Sequence, residues 1–222
     1  MKSGKSIRKT GAFQDRAPDV QELNRLVALF NQKRYAEGEK LARNMTARFP
    51  QHGISWKALG VVLQWQGKMD EALAPMQKAA QLLLEDAEAQ NNLGVVLKHQ
   101  GRLSEAEASY RRALTLKPNF AEAHHNLGNA LREQDRLPEA EASYRRALTL
   151  KPNFAEAYNS LGITLHDQDQ LLEAEACYRQ ALALEPDYAE AHNNLGVTLR
   201  DQDRLPEAEV CHRRALTLKP DY

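Results

Sequence analysis

A single period of 34 residues runs through most of this chain. Residues 105–123 read EAEASYRRALTLKPNFAEA, and residues 139–157 repeat that stretch without a change. A proline recurs at the same interval, as Pro118, Pro152, Pro186 and Pro220. A fixed period of this length is typical of stacked repeats, in which each repeat is one supersecondary unit that packs on its neighbours. The chain is therefore expected to form a repeat array.

Counting back from the prolines gives six repeats. They are residues 19–52, which are degenerate, followed by 53–86, 87–120, 121–154, 155–188 and 189–222. Residues 1–18 lie before the array and are rich in Lys and Arg. They lack the apolar stretch of about 7–15 residues that a signal peptide needs. This segment is expected to be a basic, flexible leader.

Each repeat carries the pattern of two helices joined by a tight turn. In residues 121–154, apolar side chains recur three or four residues apart, first around Leu127 and again around Tyr144. This spacing places them on one face of each helix. Asp135 stands between them where the two preceding repeats have Gly67 and Gly101, so it is expected in a left-handed turn. Gly128 is small enough to let the two helix axes approach closely.

The links between repeats contain a candidate helix cap. Asn119, Asn153 and Asp187 are each followed three residues later by a glutamate: Glu122, Glu156 and Glu190. This spacing is the Asx form of the capping box, so these residues are expected to cap the next first helix. An aromatic residue follows each one, and it is expected to pack between adjacent repeats.

Composition and residue spacing exclude several classes of function. Thirty basic and thirty acidic residues give a formal net charge of zero, which argues against strong binding to nucleic acid or to anionic membranes. No apolar run is long enough to span a membrane. Two cysteines exclude a disulfide scaffold and a four-thiolate zinc site, and the histidines lack the spacing of a metal site. We expect a non-enzymatic, cytoplasmic helical protein without a metal or cofactor.

One motif resembles the tetratricopeptide repeat family. It is the order of Tyr158, Leu161, Gly162, Ala174, Tyr178, Ala181 and Pro186, which recurs with variations over residues 19–222. The resemblance implies an all-α, right-handed superhelical solenoid of about six helix-turn-helix repeats. It also implies a concave groove lined by the first helix of each pair. Residue 84 is Leu where the family has Pro, and the Leu-Gly site of repeat 19–52 is weak.

The first helices would line that groove mainly with amides. If Ala121 is position 1 of its repeat, the resemblance implies that positions 2, 5, 6, 9, 12 and 13 of the first helix face the groove, and the candidates occupy positions 5, 6 and 9. The candidate peptide-binding residues are Asn91, Asn92, His125, Asn126, Asn129, Asn159, Ser160, Asn193 and Asn194. Each amide offers a donor and an acceptor, so such a wall suits the backbone of an extended peptide. It resembles the asparagine ladder in the repeat domain of O-linked N-acetylglucosamine transferase.

The expected function is a non-catalytic scaffold that binds a peptide or a partner protein. A carboxylate clamp is not supported, because Lys57 occupies one of its positions but Val61 replaces the expected asparagine. Two alternatives stay open. In the first, the chain would be the substrate-recognition arm of a larger glycosyltransferase or sulfotransferase. In the second, it would self-associate through its last repeat. In the second case, the uncovered apolar residues would be Leu205, Ala208, Ala215 and Leu218.

Overall fold

The computed structural model describes residues 17–220, and that range contains helices and turns but no strands. The chain divides into an N-terminal body, which ends at Gln100, and a C-terminal body, which begins at Gly101. The N-terminal body holds α1 (Val20–Asn31), α2 (Tyr35–Arg48), α3 (Gly53–Trp65), α4 (Met69–Leu82) and α5 (Ala87–His99). The C-terminal body holds α6 (Leu103–Leu116), α7 (Ala121–Arg132), α8 (Leu137–Leu150), α9 (Ala155–Asp167), α10 (Leu171–Leu184), α11 (Ala189–Asp201) and α12 (Leu205–Leu218). This all-α helical repeat architecture confirms the predicted fold class.

Sixteen of the eighteen leader residues, 1–16, lie outside the described part of the chain. The described chain begins with Ala17, and the buried Pro18 follows it. Asp19 then caps α1, because its side chain accepts a hydrogen bond from the backbone N–H of Glu22. The flexible character expected for the leader stays a prediction.

In the N-terminal body, methionine side chains fill the space between helices. Met45 on α2 and Met76 on α4 are fully buried, and both belong to one core cluster with Leu63 of α3. A Cβ atom added at Gly60 would lie 2.6 Å from the terminal methyl of Met76. Because a thioether chain is flexible, this core adapts to the irregular sequence of the first repeats.

The C-terminal body uses a tyrosine for the same contact. Tyr144 of α8 is fully buried against Gly128 of α7, and Tyr178 of α10 packs in the same way on Gly162 of α9. A Cβ atom at either glycine would lie 2.6 Å from the tyrosine ring. The absence of a side chain is therefore what lets the two helices of a pair approach, as the sequence predicts.

The turns between paired helices also follow the prediction. Asp135, Asp169 and Asp203 have φ angles of 59°, 62° and 60°, and Gly67 and Gly101 have 74° and 70°. Aspartate tolerates this left-handed conformation better than most residues, although glycine adopts it without a steric penalty. Helices α8 and α12 then carry Pro138 and Pro206 as their second residues, where no intrahelical donor is required.

The predicted Asx caps at residues 119, 153 and 187 are wrong. The residues that precede α7, α9 and α11 are Phe120, Phe154 and Tyr188, and none of them makes a side-chain cap. Each helix thus begins one residue later than a capping box would require. The Asn119 side chain instead accepts a hydrogen bond from Arg146, and Asp187 pairs with Arg214. The expected packing of the aromatic residue is seen at Phe154, which is buried.

The last helix pair is better covered than expected. Ala208 and Ala215 of α12 are only 4% and 1% exposed, so the expectation that they lack cover is wrong. The pairing of α12 with α11 buries these small residues, as the equivalent pairing buries Ala140 and Ala147 of α8. Leu218 is half-buried, whereas Leu205 is 60% exposed.

Candidate peptide-binding face

The predicted groove residues lie on first helices of both bodies. Asn91 and Asn92 lie on α5 of the N-terminal body. The other candidates lie on α7, α9 and α11 of the C-terminal body, where α7 contacts α9 and α9 contacts α11. We name these C-terminal residues the amide face: His125, Asn126, Asn129, Asn159, Ser160, Asn193 and Asn194. This contact between successive first helices places their positions 5 and 6 side by side.

Neighbouring members of the amide face are hydrogen-bonded to each other. The Asn194 side-chain amide donates to Oδ1 of Asn159 over 3.0 Å. One repeat earlier, Nε2 of His125 and Oγ of Ser160 are 3.1 Å apart. Position 5 of one helix thus meets position 6 of the next. Sequence reasoning missed this pairing, although a separation of 35 residues, one more than the repeat period, is the pattern that could have revealed it.

Burial differs among these side chains. Asn159 is only 6% exposed, and Asn91 on α5 is only 7% exposed, so neither is a freely accessible groove residue. The remaining members of the amide face are half-buried. The face is therefore a partly shielded strip. Asn129, Asn159, Asn193 and Asn194 each have a hydrogen-bonding neighbour, and this fixes the direction of their remaining donors and acceptors.

Two members of the amide face, Asn129 at position 9 and Asn193 at position 5, contact a side chain on the second helix of their own pair. The Tyr144 hydroxyl donates to Oδ1 of Asn129 over 2.8 Å, and His212 lies 3.3 Å from Oδ1 of Asn193. Burial raises the pKa of Tyr144 to about 12, although the nearby Arg132 guanidinium works in the opposite direction. The phenol therefore stays protonated and keeps the Asn129 amide in place.

An aromatic cluster borders the face at α7. The His125 ring lies 5.7 Å from the Tyr144 ring and 4.9 Å from the Phe154 ring, measured between centroids. Lys151 places its ammonium 4.3 Å above the centre of Phe154. These contacts hold the imidazole that faces Ser160. A histidine at position 5, where repeats 87–120, 155–188 and 189–222 have asparagine, was the sequence signal for this difference.

Charged residues follow the amide face at positions 12 and 13. His166 lies 3.0 Å from the Asp201 carboxylate, which Arg200 also contacts over 3.0 Å. Arg132 has a buried Nε without a hydrogen-bond partner in the described residues. Both signs of charge are therefore present along this edge, and the face itself is neutral.

Lys57, the candidate clamp residue, is already paired within the N-terminal body. Its ammonium lies 2.7 Å from the Asp86 carboxylate and 3.2 Å from that of Glu88. Partial burial opposes the charge of Lys57, but these hydrogen bonds outweigh it and raise its pKa. A lysine held in this way is not poised to receive a ligand carboxylate.

Family models match the chain over most of its length. A model described as TPR repeat matches residues 96–135 and 128–169. Two models described as tetratricopeptide repeat match residues 153–221 and 23–83. The chain belongs to the tetratricopeptide repeat family. A search of curated proteins by sequence finds no match.

Solved structures of other proteins are similar in fold to this tetratricopeptide repeat chain. YrrB, described as a TPR protein with an unusual peptide-binding site, matches with a TM-score of 0.63 and 23% identity, over 82% of this chain and 93% of its own. The pilF protein of Pseudomonas aeruginosa gives 0.78 and 18%, over 91% and 92%. A chain of the APC/C hetero-tetramer Cut9-Hcn1 gives 0.81 and 18%, over 91% of this chain and 40% of its own length. At these identities the likeness shows the fold alone.

The described part of this tetratricopeptide repeat protein holds no cluster of three or more His, Cys, Asp or Glu side chains that could bind a metal ion. Cys177 and Cys211 are free thiols, and burial raises the pKa of Cys177 to about 11. Within residues 17–220, every helix is too short or too polar to cross a bilayer.

Proposed function

We propose that the amide face binds an extended peptide of a partner protein, and that the chain acts as a non-catalytic interaction scaffold. The observation that carries this proposal is the hydrogen-bonded pair of Asn194 and Asn159 on adjacent first helices. This bond uses one N–H of the Asn194 amide and one lone pair of the Asn159 side-chain oxygen. The side-chain oxygen Oδ1 of Asn194 makes no hydrogen bond within the described residues and can accept one from a peptide N–H, whereas its backbone carbonyl already accepts one from Thr198.

Pre-orientation explains why such a face can bind although each contact is weak. A hydrogen bond contributes about 1 kcal/mol net, and holding a rotamer-rich side chain costs a similar amount on binding. The hydrogen bonds between neighbouring repeats already order these side chains in the free protein, so the ordering cost is not added when the peptide binds. Several amides in a row then sum to a useful affinity for a backbone, with little dependence on the peptide side chains.

Support also comes from the family, within the limits of a shared fold. The description of YrrB names a peptide-binding site, and Cut9 is part of a hetero-tetramer. Binding of peptides or proteins is therefore established among chains with this architecture. Whether the same helices are used here is part of the proposal, as is the cytoplasmic location predicted from the sequence.

The experiment is a triple substitution at position 6 of α7, α9 and α11: Asn126→Ala, Ser160→Ala and Asn194→Ala. Twelve-residue peptides of varied sequence on an array would provide a binder, and fluorescence polarisation would give its Kd. Three lost contacts of about 1 kcal/mol each predict roughly 100-fold weaker binding. Asn153→Ala is the matched control, because this exposed residue lies outside the face. Unchanged affinity in a folded triple variant, or no binder for the parent chain, would contradict the proposal.

A second candidate is a recognition arm of a larger glycosyltransferase or sulfotransferase. It is favoured by the recurrence of asparagine at position 6, as Asn92, Asn126 and Asn194, which resembles the ladder of O-linked N-acetylglucosamine transferase. Sequencing the DNA beyond the codon for Tyr222 tests it. An open frame encoding a transferase domain supports this candidate, and a stop codon at that point removes it.

A third candidate is self-association through α12. Leu205 and Val210 are 60% and 63% exposed on this helix. Light scattering over a range of concentrations would show a rising mass if this surface pairs with a second copy. The double variant Leu205→Glu and Val210→Glu would then stay monomeric. A constant monomer mass for the parent chain contradicts this candidate.

A further inference from the structure

A groove lies between the second helices α6 and α8 of the C-terminal body, away from the amide face. Its volume is about 570 Å³, and α7 forms its floor. The lining includes Arg111, Leu114, His124, Leu127, Ser143 and Arg146. Leu127 is buried and Leu114 half-buried, so the floor is apolar, whereas both rims carry an arginine.

The arginine on the α8 rim has no carboxylate partner in the described chain. Arg146 donates to the amide oxygen of Asn119 over 3.1 Å. Arg214 occupies the equivalent position two repeats later, and there the partner is the carboxylate of Asp187 at 2.6 Å. Replacement of an aspartate by an asparagine thus leaves one positive charge at this groove without a counter-charge.

The other rim is closer to neutral. Arg111 lies 2.9 Å from the Glu107 carboxylate and 3.6 Å from that of Glu139. His124 lies 2.9 Å from the carbonyl oxygen of Pro118 through Nε2. Burial of His124, together with the charge of Arg146, lowers the pKa of the imidazole. The ring is therefore an uncharged surface at neutral pH, and the net excess charge of the groove comes from the Arg146 side.

The corresponding positions in the next two repeats do not combine these features. In repeat 155–188, Tyr158 replaces the smaller His124, and Gln180 replaces Arg146. In repeat 189–222, Val210 replaces Ala142, which lines the groove, and the arginine is neutralised by Asp187. The groove between α6 and α8 therefore combines three features: His124 rather than a larger tyrosine at its floor, Ala142 at its rim, and Arg146 without a carboxylate partner in the described part of the chain.

We propose that this groove binds an acidic peptide segment of a partner protein. An apolar side chain of the segment would lie on Leu114, Leu127 and the His124 ring, and a neighbouring carboxylate would pair with Arg146. A guanidinium binds a carboxylate through two parallel hydrogen bonds, which are stronger than its present bond to a neutral amide. This site is separate from the amide face, so the chain would contact a partner on two surfaces.

The probe is a hexapeptide with phenylalanine and leucine at its centre and two glutamates on each side. It would be titrated into the whole ¹⁵N-labelled chain and followed by NMR. We expect shifts confined to backbone amides of residues 111–115, 124–127 and 142–146. A counterpart peptide with glutamine in place of every glutamate should bind at least about tenfold more weakly.

Variants separate the contributions of charge and space. Arg146→Gln should weaken binding of the acidic peptide at least about tenfold, and Arg214→Gln, the matched control, should leave it unchanged. Ala142→Val copies the side chain found at position 210, and it should weaken both peptides by filling the groove. All three positions are on the surface of helices, and helicity and Tm would confirm that the variants fold.

Several results would overturn the proposal. They are an absence of shifts with the acidic peptide, equal affinity for the glutamine peptide, and unchanged binding by Arg146→Gln. Shifts of the same amides on raising the protein concentration without peptide would instead identify a second copy as the occupant. Because the amide-face variants are not used here, failure at this groove leaves the test of the amide face independent.

Discussion

The two bodies fill the space between the helices of a pair with different side chains. In the N-terminal body, Met76 of α4 fills the space above Gly60 of α3. In the C-terminal body, the rigid ring of Tyr144 fills the space above Gly128. A thioether adapts to irregular neighbours, whereas a buried phenol needs a shaped site and a partner for its hydroxyl. The comparison teaches that near-identical repeats permit a rigid core, and that diverged repeats are accompanied by a flexible one.

The largest effect that separates the bodies is expected from adding one methyl group at each glycine. Gly128→Ala places a Cβ 2.6 Å from the Tyr144 ring, which is fully buried and cannot move aside. Overpacking of this kind costs about 2–3 kcal/mol, less the helix propensity gained by alanine. Gly60→Ala meets only the end of the Met76 side chain. Urea unfolding should therefore show a smaller loss for Gly60→Ala, and equal losses would remove the contrast between a rigid and a flexible core.

A second test compares two tyrosines that differ in hydrogen bonding. Tyr144 donates to Asn129, whereas the buried hydroxyl of Tyr110 has no partner in the described chain. Tyr144→Phe should destabilise the fold by about 1 kcal/mol. Tyr110→Phe should be neutral or stabilising, because it removes a buried polar group that pays a desolvation penalty. Thermal unfolding measures both, and a destabilised Tyr110→Phe would show that its hydroxyl is satisfied in solution.

The smallest effect concerns the acid sensitivity of the N-terminal body. Hydrogen bonds from Lys68 and Arg43 lower the pKa of Glu39 to about 2. A carboxyl whose pKa is lowered by folding contributes stability above its unfolded pKa, and this is lost as the pH falls from about 4.5 towards 2. Since both cations keep 40–48% of their side-chain surface exposed to solvent, which screens the pairs, we expect only a few tenths of a kcal/mol.

Unfolding of Glu39→Gln and of the parent chain at several pH values tests this expectation. The difference in stability between the two should shrink below pH 4.5. Glu85→Gln is the control, because Glu85 is exposed and makes no ion pair in the described residues. A Glu39→Gln variant whose stability relative to the parent does not change with pH would show that the ion cluster contributes nothing.

Features that depend on local spacing could be predicted from the sequence. The 34-residue period predicted the helix pairs, the close approach of the paired helices at Gly128, and the left-handed turn at Asp135. Each of these depends on residues within one repeat, where the period fixes the geometry. The starts of α7, α9 and α11 were misplaced by one residue; at α7, for example, Asn119 satisfies the spacing of a capping box but binds Arg146 instead.

The candidate site was only partly predictable. The period brings position 5 of one helix beside position 6 of the next, but the bond between Asn159 and Asn194 depends on side-chain rotamers. Burial of Asn159 follows from that bond and from the contact of α9 with α11. The charge at the outer groove depends on whether residue 119 or 187 is an amide or a carboxylate. The periodicity alone contains no signal for this difference.

The central claim is that the amide face contacts the peptide backbone, and the side-chain amide groups report on it directly. In a ¹⁵N NMR titration with an array-selected peptide, the side-chain NH₂ signals of Asn129 and Asn194 should shift in proportion to saturation. The NH₂ signal of Asn153, outside the face, should not move. If the peptide binds while the Asn129 and Asn194 signals stay in place, the amide face is not the binding surface.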